Sequence, residues 1–383
     1  MKITDPWLTH KATQAVCRVL TDGGAQALFV GGCVRNALLG APVSDIDITT
    51  DARPERVIEL AKGAGIKAIP TGIEHGTVTL VKDGIPHEVT TFRRDVETDG
   101  RRAVVAFSDS LHEDAARRDF TMNALYARPD GSILDPLDGL PDLQARRVRF
   151  IGNATDRIRE DYLRSLRYFR FHAWYGDDGA GFDGDALAAI AANLGGLARL
   201  SRERVGAELL KLLGAPDPAP AVAVMRTTGV LAQILPGADD RALAPLVHLE
   251  GDLPADPIRR LAALGEPEVM ENLRLSKAQM TALARLRAAA SGVAGPGELG
   301  HELGFDAARD ALLLRAALLE TPFDRACLTE VECGASAIFP ISAKDLMPNY
   351  TGKALGEKLT QLKSRWIASG FTLDRSALLS DQS

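Results

Sequence analysis

One stretch, residues 27–47, limits the possible folds of this sequence more than any other. An apolar run ends in Gly31 and Gly32, a short amphipathic segment follows, and a second apolar stretch carries Asp45 and Asp47. Apolar runs of this length predict strands, and the segment between them has helical spacing. The stretch therefore predicts a strand, a glycine turn, a short helix and an acidic strand.

The residue types in this stretch indicate phosphate and a divalent metal. Glycines let a backbone approach a ligand closely, and the first amides of the next helix point at it, so Gly31 and Gly32 are candidates for a phosphate cradle. Residues two apart on a strand face the same side, so Asp45 and Asp47 should project together while Ile46 points into the core. Such carboxylate pairs also occur at solvated strand ends, so the pair alone does not decide the function.

A third carboxylate, Glu88, lies on another predicted strand, where it could face the same site. Carboxylates that hold Mg²⁺ suit phosphoryl transfer, because the ion can lower the pKa of an attacking hydroxyl and neutralise a leaving pyrophosphate. The alternative is that Glu88 is an edge-strand carboxylate that pairs with Arg93 or Arg94.

A charged segment at 113–126 contains a second group of candidates. Arg118 could meet a phosphate. Asp119 and Asn123 are four residues apart, so on a helix they would share one face and could bond sugar hydroxyls. The alternative is an ordinary helical turn with paired charges.

A third group lies at 159–171, which is predicted to be one continuous helix with an apolar stripe. Asp161 and Arg164 would lie side by side, and such fixed acceptors and donors are what reading a base edge requires. The alternative is an intrahelical ion pair. Arg170 points away from Asp161, so contact with phosphate or with a neighbouring helix is expected.

Size and charge restrict the class of protein. The 383 residues, 46% of them hydrophobic, suffice for two or three packed domains. The first residues lack the apolar core of a signal peptide, and no apolar run approaches about 18 residues, so a cytoplasmic protein without membrane association is expected. The net charge of −6 argues against non-specific coating of nucleic acid. Arginines nevertheless cluster at 93–118 and 146–170, as a basic surface for a polyanion or as solvated helix faces. The four cysteines contain no C-x-x-C pair and are expected to be reduced and mostly buried.

The pattern of predicted elements changes near residue 155. The expected helices before it are 1–26 and 52–61, and the expected strands are 67–69, 76–82 and 87–92. The charged segment 93–106, which includes Gly100, is predicted to be a mobile loop. After residue 155 the spacing is helical throughout, with the Pro-rich segment 214–220 as the best internal boundary. A mixed α/β domain followed by an all-α region is expected.

Together these segments resemble the class II nucleotidyltransferases, which comprise the tRNA CCA-adding enzymes and the bacterial poly(A) polymerases. The resemblance covers about residues 27 to 213. It rests on Gly31-Gly-x-Val-Arg35 with Asp45-x-Asp47, Arg117-Arg-Asp-Phe-Thr-x-Asn-Ala124, Asp135-Pro-Leu-Asp-Gly139, Glu160-Asp-x-Leu-Arg164-x-Leu-Arg167-x-x-Arg170-Phe, and Leu200-Ser-Arg-Glu-Arg204 with Glu208.

The resemblance implies an α/β (α+β) nucleotidyltransferase head of polymerase-β type followed by an all-α neck, body and tail. The implied boundaries are head 1–150, neck 151–215, body 216–330 and tail 331–383. Carried over by position, the metal ligands for Mg²⁺ are Asp45 and Asp47, the nucleotide contacts are Gly32, Arg35, Arg118, Arg167 and Arg170, and the residues that pair with the base edge of CTP or ATP are Asp161 and Arg164. One departure is Asn36, where the family usually has Asp.

The implied activity is template-independent addition of C, C and A to the 3′ end of a tRNA, with CTP and ATP as substrates and no protein partner required. Candidates for binding the body of the tRNA are Lys344, Lys353, Lys358 and Lys363. An A-adding enzyme keeps the same motifs and is an alternative. A poly(A) polymerase is less favoured, because such enzymes tend to carry a long basic C-terminal extension. A non-catalytic RNA-binding protein on the same scaffold would have no reason to keep the metal pair.

Overall fold

A computed structural model of the chain describes residues 1–99, 102–177, 179–265 and 269–380. The chain divides into two compact units, Met1–Ile234 and Leu235–Ser383. The finer division into head, neck, body and tail stays a prediction. The Pro-rich segment 214–220 lies inside the first unit.

The first unit is built around one mixed sheet. Its strands, and those of a separate hairpin, are β1 (Leu28–Val30), β2 (Asp47–Thr50), β3 (Lys67–Gly72), β4 (Thr77–Lys82), β5 (Ile85–Thr91), β6 (Arg93–Asp99), β7 (Arg102–Phe107), β8 (Tyr126–Ala127) and β9 (Ile133–Leu134). The seven-stranded sheet has the order β3-β4-β5-β2-β1-β8-β9. β2 and β5 are parallel, whereas the other neighbours in this sheet are antiparallel. The parallel pair lies at the centre, where Ile48 and Val89 are fully buried.

The helices of the first unit are α1 (Pro6–Thr9), α2 (Lys11–Asp22), α3 (Gly32–Leu39), α4 (Pro54–Gly63), α5 (Leu111–Ala116), α6 (Leu140–Gln144), α7 (Ala154–Glu160), α8 (Leu163–Tyr175), α9 (Gly184–Ala192), α10 (Arg202–Leu213), α11 (Ala219–Thr227) and α12 (Val230–Ile234). α2 buries Val16 and Leu20 against the sheet side, as its spacing predicts. Pro54 begins α4, where its missing N–H costs no hydrogen bond. The expected helix 52–61 and the three expected strands are thus confirmed. The helix expected over 1–26 is instead two helices, α1 and α2, which are separated at His10.

The prediction of a loop at 93–106 is wrong for the residues that the structure describes. β6 and β7 pair as an antiparallel hairpin, with Arg93 opposite Phe107. Gly100 and Arg101 lie outside the described residues. The charged composition suggested a loop, but cross-strand pairing satisfies the backbone N–H and C=O groups whatever the side chains are.

An aromatic cluster fastens α8 to the segment that carries the second group of candidates. The ring centroids of Phe120 and Phe150 are 5.0 Å apart, and Phe150 stacks on Tyr168 of α8 at 5.6 Å. Phe171, one helical turn further along α8, lies 5.0 Å from Phe120. Such pairs bury a large apolar area and fix ring orientation. The polar residues of α8 are therefore held close to the segment 113–126.

The second unit is helical. Its helices are α13 (Leu243–Glu250), α14 (Pro257–Ala262), α15 (Val269–Leu273), α16 (Lys277–Ser291), α17 (Pro296–Leu303), α18 (Phe305–Leu318), α19 (Cys327–Ser336), α20 (Ala343–Leu346), α21 (Gly352–Ala368) and α22 (Arg375–Ser380). No strand follows β9 in the described part of the chain, which confirms the all-α prediction. None of the helices described has the length and apolar character that a membrane span requires.

Two of the four cysteines are buried, Cys17 and Cys33. Burial raises the pKa of Cys33 to about 11, so its side chain is a protonated thiol at neutral pH. Cys327 is partly exposed and Cys333 is exposed. All four cysteines are free, as expected, but only two of the four are buried, so the expectation of mostly buried thiols is confirmed for half of them.

Candidate active site

The predicted metal pair lies at the start of the central parallel strands. Asp47 is the first residue of β2, and it stands opposite Glu88 on β5. Ile46 and Ile48 are buried, as the alternation predicts. Asp45 precedes the strand rather than lying on it, and it accepts a hydrogen bond from Ser44 Oγ at 2.9 Å. Three carboxylates thus approach one end of the parallel pair.

Within the described residues, the three carboxylates Asp45, Asp47 and Glu88 have no cation at ion-pair distance. Burial, followed by repulsion from Glu88 and Asp45, raises the pKa of Asp47 to about 6, although Arg118 acts in the opposite direction. Among the described residues, none donates a side-chain hydrogen bond to Asp47, and Glu88 pairs with neither Arg93 nor Arg94. The described part of the chain contains no ready-made cluster of three metal-binding side chains. A hard cation that takes two carboxylates and completes its shell with phosphate and water fits this donor set.

The glycine turn lies beside two guanidinium groups. Gly31 caps α3 with φ +70°, a conformation that glycine adopts without strain. A Cβ on Gly31 would lie 3.6 Å from Arg118 Nη1, and one on Gly32 would lie 3.8 Å from Arg35 Nη2. The open faces of both glycines therefore look toward cationic groups. Backbone amides and guanidinium groups converging on one concavity suit a polyphosphate.

Arg118 is held in place by a buried carboxylate. Asp114 Oδ2 accepts hydrogen bonds from Arg118 Nη2 at 3.0 Å and from the Tyr126 hydroxyl at 2.8 Å, and Asp114 Oδ1 accepts from Arg117. Burial favours the neutral acid, but Arg118 and Arg117 outweigh it and lower the pKa of Asp114 to about 2. The charge pairing that the sequence offered as an alternative is thus present, and it orients Arg118 toward the glycine turn.

Replacing Asp114 with asparagine should destabilise the protein by about 2–3 kcal/mol at neutral pH, because two partly buried arginines lose their acceptor. The folded pKa lies below the ordinary 3.8, so this contribution is present above pH 3.8 and is lost as the pH falls through about 2. Denaturant unfolding of both proteins at neutral and acidic pH measures the difference. The matched control is Asp109→Asn, which removes the carboxylate of an exposed ion pair with Arg53. If the two proteins differed in unfolding free energy by the same amount at acidic and neutral pH, the stabilising role of the ionised Asp114 would be contradicted.

Asp119 and Asn123 do not share a helix face, so that prediction is wrong. α5 ends at Ala116, Asp119 is in an irregular turn, and Asn123 ends a short 3-10 helix. The chain leaves the helix because Phe120 pairs with Phe150 in a β-bridge. The two side chains still meet, since Asn123 Nδ2 donates to Asp119 Oδ1 at 2.8 Å.

These two residues connect arginines from different parts of the sequence. Asn123 Oδ1 accepts from Arg35 Nη1 at 2.5 Å. Asp119 Oδ2 accepts from Arg167 Nε at 2.7 Å, and although burial opposes its charge, Arg167 holds the pKa of Asp119 below its usual value. The network thus joins α3 to α8 through the buried segment between them.

The helix predicted across 159–171 is broken at Asp161, so the prediction of one helix there is wrong. α7 ends at Glu160 and α8 begins at Leu163, because the Asp161 carboxylate accepts the Leu163 N–H and competes with the helical pattern. Asp161 does not pair with Arg164. Its Oδ2 accepts from Arg204 Nη2 at 2.6 Å.

Arg164 instead makes contacts next to the break. Its guanidinium pairs with Glu160 and donates to the carbonyl oxygens of Arg157, at 3.0 Å, and Arg117, at 3.1 Å. Arg170 contacts a neighbouring helix, as predicted: its Nε donates to Glu208 Oε2 on α10 at 2.6 Å. The base-reading candidates are therefore close in the chain but have separate partners.

Several contributing residues were not predicted as site residues: Asp114, Tyr126, Tyr175 and Arg204. Asp114 and Arg118 are spaced i and i+4, a signal that sequence reasoning could have used. The resemblance already included Arg204, but its pairing with Asp161 joins residues 43 positions apart. Tyr175 contacts Arg35 across 140 positions, and nothing in the local sequence indicates it.

Two family models match this chain. The model described as "Poly A polymerase head domain" matches residues 27–149, and the one described as "Probable RNA and SrmB- binding site of polymerase A" matches residues 182–241. The first match contains the three carboxylates Asp45, Asp47 and Glu88, the glycine turn and Arg118.

Curated relatives cover most of the chain. The mitochondrial CCA tRNA nucleotidyltransferase 1 of Mus musculus is 34% identical over 370 residues, which cover 92% of this chain and 85% of the relative. The CCA-adding enzyme of Geobacillus thermodenitrificans is 42% identical over 228 residues, which cover 59% of this chain and 54% of the relative.

Solved structures agree with the same family. The CCA-adding enzyme of Bacillus stearothermophilus in complex with CTP superposes with a TM-score of 0.77 at 28% identity, covering 96% of this chain and 94% of that one. The Thermotoga maritima CCA-adding enzyme complexed with tRNA gives a TM-score of 0.73 at 19% identity, covering 98% and 95%, which shows a shared fold. This chain belongs to the family of tRNA CCA-adding nucleotidyltransferases, whose head domain is shared with poly(A) polymerases.

Proposed function

We propose that this protein adds C, C and A to the 3′ end of tRNA from CTP and ATP. The observation that carries the proposal is the placement of Asp47 and Glu88 on adjacent parallel strands beside a glycine turn that faces two arginines. Carboxylates for a metal and donors for a polyphosphate are the two parts that nucleotidyl transfer needs. The relatives that bind CTP and tRNA support the choice of substrates.

Asp45 and Asp47 would hold the catalytic Mg²⁺, with Glu88 close enough to add to the negative field. The fit rests on oxygen donors for which the described residues supply no ion-pair partner. It rests also on the raised pKa of Asp47, which reflects burial first and repulsion by Glu88 and Asp45 after it. When bound, the ion would assist deprotonation of the tRNA 3′-hydroxyl and neutralise charge on the departing pyrophosphate.

The glycine turn and its arginines would hold the triphosphate. The N–H groups at the start of α3 point away from the helix, and Arg118 and Arg35 would contact phosphate oxygens. The attacking 3′-hydroxyl and the pyrophosphate must lie in line on opposite sides of the α-phosphate. Fixing that alignment is the main contribution of these residues to the rate.

Asp161 and Arg164 would read the base. Arg204 occupies one oxygen of Asp161, but a carboxylate has about four lone-pair sites and can accept a further hydrogen bond from a base amino group. Arg167 and Arg170 would be additional nucleotide contacts that Asp119 and Glu208 orient. In this arrangement Asp119 and Asn123 position arginines. Any contact of these two residues with a sugar hydroxyl would use lone pairs or N–H groups that do not already bond an arginine or each other.

The boundaries of head, neck, body and tail given above remain part of the proposal. Lys344 lies on α20, and Lys353, Lys358 and Lys363 lie on the long helix α21, where they would bind the tRNA backbone. The cytoplasmic location is also a proposal, since two relatives are mitochondrial proteins.

Three tRNA transcripts test the function: one ends before CCA, one after the first C and one after CC. Each is incubated with CTP and ATP, singly and together, and products are resolved at single-nucleotide length. Complete CCA on the shortest transcript is expected. Addition of A to the CC end alone would establish the A-adding alternative, long A tails would indicate poly(A) synthesis, and no addition would favour the non-catalytic alternative.

A further inference from the structure

The arginines around the glycine turn differ in their hydrogen-bond partners. Three arginines of the site each have a carboxylate partner, and the pairs are Arg118 with Asp114 at 3.0 Å, Arg167 with Asp119 at 2.5 Å and Arg170 with Glu208 at 2.6 Å. Arg35 is only 7% exposed, yet no carboxylate of the described residues lies within ion-pair distance of it. Of these four arginines, Arg35 is thus the one for which the described residues supply no direct carboxylate partner. Asp119, which is linked to it through Asn123, raises its pKa only from a distance.

All hydrogen-bond acceptors of Arg35 are neutral. Its guanidinium donates to Asn123 Oδ1 at 2.5 Å, to the Tyr175 hydroxyl at 2.8 Å, and to Asn36 Oδ1 at 2.9 and 3.2 Å. It also lies 4.1 Å above the ring of Tyr175. These contacts fix its position, but they do not offset the cost of keeping a positive charge away from water. Burial accordingly lowers the pKa of Arg35.

Asn36 is oriented by two partners of opposite kind. Its Oδ1 must face Arg35, because a guanidinium only donates, and its Nδ2 donates to the Pro42 carbonyl at 2.8 Å. In this chain an aspartate would keep the acceptor for Arg35 but lose the donation to Pro42, because its second oxygen would face that carbonyl oxygen. The amide thus links Arg35 to the segment that leads into Asp45.

We infer that Asn36 holds Arg35 in place without forming an ion pair with it, so that the phosphates of a bound nucleotide become its direct anionic partner. Asn36 is then a positioning residue that sets the affinity for triphosphate. Arg35 Nη2 lies beside the open face of Gly32, where a polyphosphate would be held. The inference rests on the proposed function for its ligand, but it concerns only the phosphate half of the site.

Inorganic triphosphate is the probe, because it has no base or sugar to read. Titration calorimetry in metal-free buffer compares the wild-type protein with Asn36→Asp. The added carboxylate should weaken triphosphate binding by about tenfold, because it forms the ion pair that the ligand would otherwise make. Asn36→Ala removes both the acceptor for Arg35 and the donor to the Pro42 carbonyl without adding charge, and its loss of triphosphate affinity should be clearly smaller. Equal losses for the two variants would overturn the inference.

Asn193 provides a matched control. Its Oδ1 accepts from Arg159 and its Nδ2 donates to the Ala189 carbonyl, which is the arrangement of Asn36 at another place. Asn193→Asp should leave triphosphate binding unchanged, and a loss equal to that of Asn36→Asp would count against a local effect.

A double-mutant cycle keeps the test decisive. Arg35→Gln should weaken binding by at least as much as Asn36→Asp. Adding Asn36→Asp to it should cause a smaller further loss than Asn36→Asp causes alone, because the ion pair with Arg35 can no longer form. Full-strength binding by Arg35→Gln would overturn the inference even if Asn36→Asp proved unstable in thermal unfolding. Wild-type tRNA extension is measured separately. If extension fails while Asn36→Asp still weakens triphosphate binding, the proposed function is wrong and the inference stands.

Discussion

Replacing Asp47 with asparagine is expected to slow nucleotide addition by on the order of a thousandfold while making the metal-free protein more stable. The amide keeps the shape of the side chain but removes the charge that would hold Mg²⁺. At the same time it removes a half-buried carboxylate for which the described residues offer no donor, and whose pKa burial and neighbouring carboxylates raise to about 6. Removing that cost should raise the unfolding free energy by on the order of 1 kcal/mol.

Two measurements separate these effects. Single-turnover extension of a tRNA that lacks CCA gives the rate, and denaturant unfolding in a chelating buffer gives the stability. Added Mg²⁺ with CTP should raise the melting temperature of the wild-type protein more than that of Asp47→Asn. Asp83→Asn, at the exposed turn between β4 and β5, should behave like the wild type. Near-normal extension by Asp47→Asn would refute the metal assignment.

Replacing Asp161 with alanine is expected to reduce the selectivity for CTP over UTP by on the order of tenfold, while the rate with CTP falls by less. A carboxylate accepts a hydrogen bond from a base that presents an amino group and repels a base that presents a carbonyl oxygen. Alanine does neither. Arg204 loses its partner in this variant, but it is about one-third exposed and water can solvate it. The fold should therefore survive the substitution.

The selectivity is measured as the ratio of kcat/KM for CTP and UTP on the transcript that ends before CCA. Asp156→Ala, on the exposed side of α7, removes a carboxylate from the same segment and should leave the ratio unchanged. Arg204→Met tests whether the ion pair orients Asp161, and it should reproduce part of the loss. An unaltered ratio in Asp161→Ala would show that base reading lies elsewhere.

Local patterns sufficed for the parts of the site that short segments build. The glycine turn, the alternation around Asp47 and the helices α2 and α4 follow from spacing, because each depends on neighbours within a few residues. The errors arose where a side-chain contact, local or distant, outweighed the helical preference. The helix across Asp161 is interrupted because its carboxylate binds the Leu163 N–H and Arg204, and spacing alone does not reveal either contact.

The sequence by itself determined the fold class, and its motifs indicated the family and therefore the chemistry proposed for the site. Only the tertiary structure decided which charge meets which. It pairs Asp161 with Arg204 rather than with Arg164, and it leaves Arg35 surrounded by neutral acceptors. The physical reason is that the net charge of a buried site is a sum over segments far apart in the chain. The sequence does not explain why Asn36 departs from the family. The structure shows that its amide accepts from Arg35 and donates to the Pro42 carbonyl.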